Sequence, residues 1–201
     1  MYAITEGRPD DFADVERLVE RTIRAPFDHP DLTPEQRAEN AWIVSIARRN
    51  CLAAIGNPAR AVFVAREDAA APIIGFVIAL RDSATDSPPP SPRARETEGE
   101  GEGWRTRQRA NEEPVAELEL AHLPEIDWLI VAPEHQGRGA ARLLMDRALD
   151  SVGEDVAVKL GVIHFNARAI AFYKKLGFED TGRIVGRRKI ARRLLVRNAS
   201  A

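Results

Sequence analysis

The spacing of apolar residues along the first part of the chain predicts one strand and two helices. Residues 2–6 favour a short strand, and after Pro9 the apolar residues recur every three to four positions, as on one face of a helix. Residues 33–36, Thr-Pro-Glu-Gln, have the composition of a capping box. A second helix is therefore expected to begin there and to extend to Leu52 or Ile55.

The next segments predict a hairpin followed by an insertion. Residues 61–66 and 73–80 are rich in β-branched side chains and are joined by a short polar connection, which is typical of antiparallel strands. Residues 83–114 begin with prolines, continue as a glycine–glutamate tract and contain Trp104 as their only large apolar side chain. Such a segment buries too little apolar surface to offset its conformational entropy. We therefore expect a disordered insertion at about residues 84–113.

Strand and helix patterns alternate again in the second half of the chain. Residues 125–131 and 155–163 predict two strands, separated by a helix over about residues 139–149. Asn166 is expected to cap a short helix that ends just before Gly177, and two further strands complete the chain. This alternation predicts an α/β fold, with parallel pairing where a helix connects two strands.

Composition narrows the class of protein. A chain of 201 residues with a formal net charge of −2 and a single cysteine, Cys51, fits one cytoplasmic domain over residues 1–201. The balanced charge gives no reason to expect nucleic-acid binding, and neither a signal peptide nor a membrane-spanning run is recognisable. No group of His, Cys, Asp and Glu has metal-ligand spacing, so no metal and no membrane association are expected.

A glycine-bearing turn joins the strand at residues 125–131 to the helix that follows. Gly137 and Gly139 stand where this helix begins, and glycines allow a ligand to approach the backbone closely. A helix N-terminus also offers free N–H groups and a positive dipole end, which suit phosphate oxygens. The spacing matches neither the G-x-G-x-x-G nor the G-x-x-x-x-G-K-[ST] nucleotide motif.

Two motifs resemble those of the GNAT superfamily of acetyltransferases. Gln136-Gly137-Arg138-Gly139-Ala140-Ala141 is similar to the family's pyrophosphate motif, Q/R-x-x-G-x-G/A. Residues 166–178 match its later motif as N-x-x-A-x-x-F-Y-x-K-x-G-F, and the two occur in the family's order. The resemblance implies a mixed, mostly antiparallel sheet with one parallel, splayed pair of strands and about four flanking helices.

The resemblance further implies that acetyl-CoA lies in the gap between the splayed strands. The backbone N–H groups of the glycine turn would hold its pyrophosphate, and the strand that precedes the turn would pair with its pantetheine arm. The implied cofactor-binding residues are Leu129, Ile130, Val131, Gln136, Gly137, Arg138, Gly139, Ala140, Ala141, Asn166 and Tyr173.

Acetyl transfer to an amine requires a base, an oxyanion donor and an acid. By the resemblance, Tyr173 protonates the departing CoA thiolate, and the backbone N–H of Leu129 stabilises the oxyanion. Glu125 accepts the amine proton, directly or through water, with Asp127 as the alternative base two residues along the same strand face. No activated nucleophile is evident, which favours direct attack by the amine through a tetrahedral intermediate.

Two charged segments could form the acceptor site that the resemblance implies. The loop between the first two helices carries Asp28, His29 and Asp31, which suit a cationic amine. The C-terminal hairpin carries a basic run, which suits an anionic group: Arg187, Arg188, Lys189, Arg192 and Arg193. One hypothesis is an acceptor with both an amine and a carboxylate or phosphate. The alternative is that the run is an ordinary solvated surface.

Two classes of function stay open at this point. The first is an acetyl-CoA-dependent N-acetyltransferase that acts on a primary amine of a small molecule or a peptide. The second is a module of the same fold that binds acyl-CoA or a protein partner without turnover. The identity of the acceptor, the acyl-chain length and the oligomeric state, for which a homodimer is one option, are also open.

Overall fold

The structure, a computed structural model of the chain, describes residues 2–22, 30, 32–81, 120, 122–153, 155–185 and 190–199. Some features named above lie outside these residues. They are the insertion at about residues 84–113, the loop residues Asp28, His29 and Asp31, and the basic residues Arg187, Arg188 and Lys189.

Within the described residues, seven strands form one sheet in the order β1-β2-β3-β4-β5-β7-β6. The strands are β1 Ala3–Glu6, β2 Arg60–Arg66, β3 Gly75–Leu80, β4 Glu125–Val131, β5 Val158–Ile163, β6 Glu179–Val185 and β7 Arg192–Arg197. Neighbouring strands are antiparallel except for β4 and β5, which are parallel. The prediction of a mixed, mostly antiparallel sheet is confirmed.

In the part of the chain that the structure describes, four α-helices cover the two faces of this sheet. They are α1 Phe12–Thr22, α2 Pro34–Ala54, α3 Ala140–Val152 and α4 Ala167–Lys175. Helices α1 and α2 pack on one face, where Val15 and Leu18 meet Phe76 of β3. Helices α3 and α4 pack on the other face, where Leu144 and Phe178 are buried. The sheet is therefore the middle layer of an α/β domain.

The helix starts follow the capping signals in the sequence. The backbone N–H of Gln36 donates to Thr33 Oγ1 at 3.2 Å, and Gln36 Oε1 accepts from the N–H of Thr33 at 2.9 Å, so the capping box of α2 is formed. Asn166 Oδ1 accepts from the N–H of Ala169 at 3.1 Å and caps α4. These bonds satisfy N–H groups that the helix itself leaves free.

Several element boundaries differ from the sequence prediction by one or more residues, such as that of β3, which begins at Gly75 rather than at residue 73, and two of the differences have a clear cause. Helix α3 continues to Val152 rather than ending near Leu149, because Gly153, with φ of 110°, is the residue that closes it. The N–H of Gly153 donates to the carbonyl of Leu149 at 3.1 Å. Strand β5 begins at Val158 rather than at residue 155, since pairing with β7 starts there.

Strands β4 and β5 separate after a short paired stretch. They pair only at Glu125 with Lys159 and at Ile126 with Leu160. Beyond these positions β4 stays paired with β3, while β5 stays paired with β7 as far as Ile163. The two strands therefore enclose a gap in the sheet, as predicted for the splayed pair.

A β-bulge interrupts β4 at Asp127. In the ladder with β3, Trp128 lies opposite Ile78 and Ile126 lies opposite Ala79, so Asp127 has no opposite residue. Ile126 packs into the core under α3, whereas Trp128 packs on the face of α1 and α2. Residues two apart in a regular strand share a face, so the bulge reverses the alternation along β4.

Candidate active site

The bulge also determines which backbone N–H and carbonyl groups of β4 point into the gap. The N–H of Ala132 donates to the carbonyl of Ile74, just before β3, at 2.8 Å. The carbonyl of Val131, one position earlier, points away from β3 and accepts a hydrogen bond from Gln136 Nε2 at 3.0 Å. With a period of two along the strand, the N–H of Leu129 also faces the gap. This is the orientation that the predicted oxyanion donor requires.

The three predicted cofactor contacts on β4 are therefore not equivalent. Leu129 and Val131 present backbone groups to the gap. The carbonyl oxygen of Ile130 lies 2.9 Å from the position that a Cβ on Gly75 of β3 would take, so the backbone of Ile130 faces β3. Its side chain is buried in the core. Ile130 can support a ligand in the gap only by holding β4 in place.

The turn between β4 and α3 forms an open cradle of backbone groups. Gly137 and Gly139 have φ of 79° and 95°, and a Cβ built on either would meet no other atom within 4 Å. Gly139 is the N-cap of α3, and no side chain caps this helix. The N–H groups of Ala140 and Ala141 precede the first helical hydrogen bond, which Leu143 donates to Gly139. The cradle has the space and the donors that a pyrophosphate needs.

Gln136 connects this turn to β4 and to α4. Its Nε2 donates to Val131, and its Oε1 accepts from Arg168 Nη1 at 2.8 Å. Because Asn166 uses its Oδ1 to cap α4, its amide nitrogen is the group left to reach a cofactor. Arg138 is exposed beside the turn. The sequence did not single out Arg168, although it is the second residue after Asn166 in the later motif.

Tyr173 lies on α4, against the face of the sheet that α3 covers. Its ring centroid is 5.9 Å from that of Phe178 and 5.4 Å from that of Phe172. Burial raises the pKa of Tyr173 to about 12, because the phenolate loses hydration among these apolar groups. The side chain therefore keeps its proton throughout the neutral range, as a general acid must.

Glu125 is the first residue of β4 and faces α1 and α2. Its Oε2 lies 3.9 Å from Lys159 Nζ, and 11% of the Lys159 side chain is exposed. Lys159 Nζ also donates to the carbonyl of Leu120 at 2.8 Å. Burial lowers the pKa of Lys159, and the neighbouring Glu125 carboxylate partly opposes this shift. The sequence did not point to Lys159, since the contact crosses from β5 to β4.

The predicted acid and the predicted base lie on opposite faces of the sheet. Tyr173 packs against the core that contains Leu160 and Val162 of β5. Lys159, on the alternate face of the same strand, pairs with Glu125. The gap between β4 and β5 is an opening in the sheet between these two faces. Tyr173 and Glu125 thus lie on either side of the sheet in which the gap opens.

The described part of the chain contains neither a metal-ligand cluster nor a membrane-spanning helix. There, no three side chains of His, Cys, Asp or Glu come together in a way that could hold a metal ion. The helices in the same residue ranges include none that is long and apolar enough to cross a membrane.

The comparison with known families agrees with this geometry. The family described as "Acetyltransferase (GNAT) family" matches residues 17–178. The chain belongs to the acetyltransferase (GNAT) family, and the predicted family and fold are confirmed. Acetyl-CoA is the acyl donor of this family, so membership supports acyl transfer from acetyl-CoA as the chemistry.

Individual relatives share less of the chain. Spermidine N(1)-acetyltransferase of Vibrio cholerae serotype O1 is 36% identical over 72 residues, which cover 34% of this chain and 42% of the relative. Peptidyl-lysine N-acetyltransferase YjaB of Escherichia coli K12 is 35% identical over 72 residues, which cover 36% of this chain and 46% of the relative. The chain thus spans less than half the length of each of these relatives.

Solved structures share the fold over the whole chain. The PaiA N-acetyltransferase of Thermoplasma acidophilum, solved in complex with coenzyme A, has a TM-score of 0.63 and covers 98% of this chain and 99% of its own, at 12% identity. The ribosomal-protein-S18-alanine N-acetyltransferase of Escherichia coli has a TM-score of 0.55 at 14% identity and covers 100% of this chain and 96% of its own. At these identities the likeness concerns the fold alone.

Proposed function

We infer that the chain transfers an acetyl group from acetyl-CoA to a primary amine, by direct attack of the amine through a tetrahedral intermediate. One observation carries this proposal. The open cradle at Gly137 and Gly139 begins eleven positions after Ile126, the last residue at which β4 pairs with β5. The gap with its free backbone groups along β4 is thus followed directly by a turn that suits a phosphate. Acetyl-CoA has the matching order of pyrophosphate, pantetheine amides and thioester.

The cofactor would bind mainly through backbone groups. In this proposal the N–H groups of the turn, from Gly137 to Ala141, hold the pyrophosphate, with Arg138 adding a positive charge. Leu129 and Val131 pair with the pantetheine arm as an added strand does. Asn166 contributes its amide nitrogen from the start of α4. Gln136 acts indirectly, because its side chain ties the turn to β4 and α4.

Three groups would then carry out the chemistry on the acyl thioester that acetyl-CoA supplies. The N–H of Leu129 donates to the carbonyl oxygen as that oxygen gains negative charge. Glu125, or Asp127 at the bulge, accepts the proton of the attacking amine, directly or through water. Tyr173 donates its proton to the sulfur as the bond from carbon to sulfur breaks. Burial raises the pKa of this phenol to about 12, so the hydroxyl is protonated before each turnover.

The names of the two relatives support a primary amine as the acceptor. One relative is named for spermidine and the other for peptidyl-lysine, and both of these acceptors present an amine on a flexible aliphatic chain. The alternative of a binding module without turnover differs from this proposal in one measurable respect. A binding module shows an acetyl-CoA affinity but releases no thiol in the presence of any amine.

Binding is tested first, by thermal unfolding with acetyl-CoA, with CoA and with NAD as the control. A ligand at 100 times its Kd adds about 2.7 kcal/mol of stability. For a domain of this size the Tm rises by about 2–4 °C for each kcal/mol, which gives about 5–10 °C. The proposal requires this rise with acetyl-CoA and CoA but not with NAD. No rise with either CoA compound would overturn the proposed cofactor site.

Turnover is tested next, by thiol release from acetyl-CoA in the presence of a panel of primary amines. The matched variant is Tyr173→Phe, which keeps the ring and removes only the proposed acid. We expect kcat to fall by about 100-fold or more while the Kd for CoA is unchanged. Equal kcat in both proteins would remove Tyr173 from the mechanism. Binding without thiol release from any amine would favour the binding module.

A further inference from the structure

Arg192 lies on the same face of the sheet as the predicted base. It is the first residue of β7, opposite Ile163 of β5, which packs with Trp42 of α2. Leu195, three positions on, is buried in the core on the other face. With a period of two along the strand, Arg192 therefore faces α2, as Glu125 does.

The guanidinium of Arg192 extends along the sheet to Gly161 of β5. A Cβ built on Gly161 would lie 3.5 Å from both Cζ and Nη1 of Arg192. Gly161 is the first residue of β5 beyond the two positions, at Lys159 and Leu160, that pair with β4. The absence of a side chain there lets the guanidinium lie against the strand. The positive charge of Arg192 therefore lies beside the position where the gap begins, on the same face of the sheet as the predicted base.

Among the described residues, this guanidinium makes no hydrogen bond and has no carboxylate within ion-pair distance. The next residue provides a contrast, because Arg193 Nη1 donates to Asp180 Oδ2 at 2.7 Å. Arg192 is also half-buried. A cation that has lost part of its hydration without gaining a partner is destabilising, and an anionic ligand offsets this when it binds.

We propose that Arg192 binds an anionic group of the acceptor, so that the acceptor is a primary amine that also carries a carboxylate or a phosphate. The inference rests on the proposed function and names its substrate class. Glu125 pairs with Lys159, two residues from Gly161, which corresponds to about 7 Å along the strand. An amine at Glu125 and an anion at Arg192 are therefore separated by several bonds in the acceptor.

Lys159 adds to the same preference. Its ammonium lies 3.9 Å from the Glu125 carboxylate, and the guanidinium of Arg192 lies against Gly161, two residues along β5, so this part of the sheet carries two cations and one carboxylate. A second ammonium group placed there would be repelled, whereas a carboxylate would be attracted. The site thus selects against a diamine and in favour of an amine with an acidic group.

Four acceptors of similar length test the inference by thiol release: n-butylamine, 4-aminobutyrate, 3-aminopropyl phosphate and 1,4-diaminobutane. The wild-type protein is expected to use the two anionic amines with the highest kcat/KM. In Arg192→Met their KM rises by about 10- to 100-fold, as for the loss of a charged hydrogen bond. The kcat/KM for n-butylamine and the KM for acetyl-CoA stay unchanged. A preference for one anionic amine over the other identifies the carboxylate or the phosphate.

Two further variants separate a specific contact from general charge. Arg193→Met removes the same charge one residue away, on the opposite face of the sheet. We expect it to leave unchanged the ratio of kcat/KM for the anionic amines to kcat/KM for n-butylamine. Arg192→Lys keeps the charge but loses the two-pronged geometry, so its KM for 4-aminobutyrate lies between those of the wild type and Arg192→Met. An equal effect of Arg192→Met and Arg193→Met on the anionic acceptors would overturn the inference.

Calorimetry with the same four molecules on CoA-saturated protein tests Arg192 without turnover. Tighter binding of the anionic amines to the wild type than to Arg192→Met supports the inference, even if no thiol is released and the proposed activity fails. Equal binding or equal turnover in the two proteins overturns the inference and leaves the proposed activity standing. Binding of none of the four also overturns it.

Discussion

Replacing Gly139 by alanine separates the structural role of the α3 turn from its role in binding. Gly139 has φ of 95°, a left-handed conformation that disfavours any residue with a Cβ by about 1–2 kcal/mol. Nothing lies within 4 Å of the added methyl group, so no clash adds to this strain. At about 2–4 °C for each kcal/mol, the Tm should fall by about 2–8 °C.

Gly182 provides a matched control for this strain. It lies in β6, away from the gap, with φ of 73°, and a methyl group added there would also have no atom within 4 Å. Gly182→Ala should therefore lower the Tm by a similar amount. The two variants differ in their position relative to the proposed cofactor, because only Gly139 lies where the pyrophosphate is proposed to bind.

The difference between the variants should appear in the affinity for CoA. The methyl group of Gly139→Ala takes the position of a phosphate oxygen and removes at least one charged hydrogen bond, worth about 1.5–3 kcal/mol. The Kd for CoA should then rise by about 10- to 100-fold. Gly182→Ala should keep the wild-type Kd. Calorimetric titration with CoA, well below the Tm of each variant, measures both values. An unchanged Kd in Gly139→Ala, or an equal rise in both variants, would refute the cradle as the pyrophosphate site.

Three further predictions concern individual side chains. Because burial raises the pKa of Tyr173 to about 12, its contribution to the free energy of unfolding is complete below pH 10 and is lost as the pH rises through 12. Denaturant unfolding of Tyr173→Phe should lack this loss of stability. Stability that falls in parallel with pH in the wild type and the variant would contradict the prediction. Glu125→Gln should lower kcat/KM for the amine more than Asp127→Asn does, and the reverse order would make Asp127 the base. Asn166→Ala should reduce the free energy of unfolding by about 1 kcal/mol through loss of the α4 cap, and an unchanged urea midpoint would refute this.

Features that depend on neighbouring residues in the chain could be predicted from the sequence. The capping box at Thr33 and the cap at Asn166 are examples, because a side chain there bonds to a backbone group three positions away. The turn at Gly137 and Gly139 is another, since glycine is the residue that adopts positive φ without strain. The parallel pairing of β4 with β5 followed from the helix that connects them.

Features that depend on the exact register of neighbouring strands, or on side-chain contacts across them, could not be predicted. The bulge at Asp127 is a property of the register between β4 and β3, and nothing in the residue types of β4 marks it. The contact of Lys159 with Glu125 joins residues that lie 34 positions apart in the sequence. The basic run at the C-terminus gave no reason to separate Arg192 from Arg193, whose different surroundings appear only in the folded sheet.

The most direct test of the proposed site is a crystal structure of the protein with acetyl-CoA. We predict that the pyrophosphate contacts the N–H groups of Gly137 and Gly139 and that the thioester carbonyl accepts from the N–H of Leu129. The sulfur should lie within hydrogen-bond distance of the Tyr173 hydroxyl. Acetyl-CoA bound away from the gap between β4 and β5, or a thioester out of reach of both Leu129 and Tyr173, would contradict the proposed mechanism.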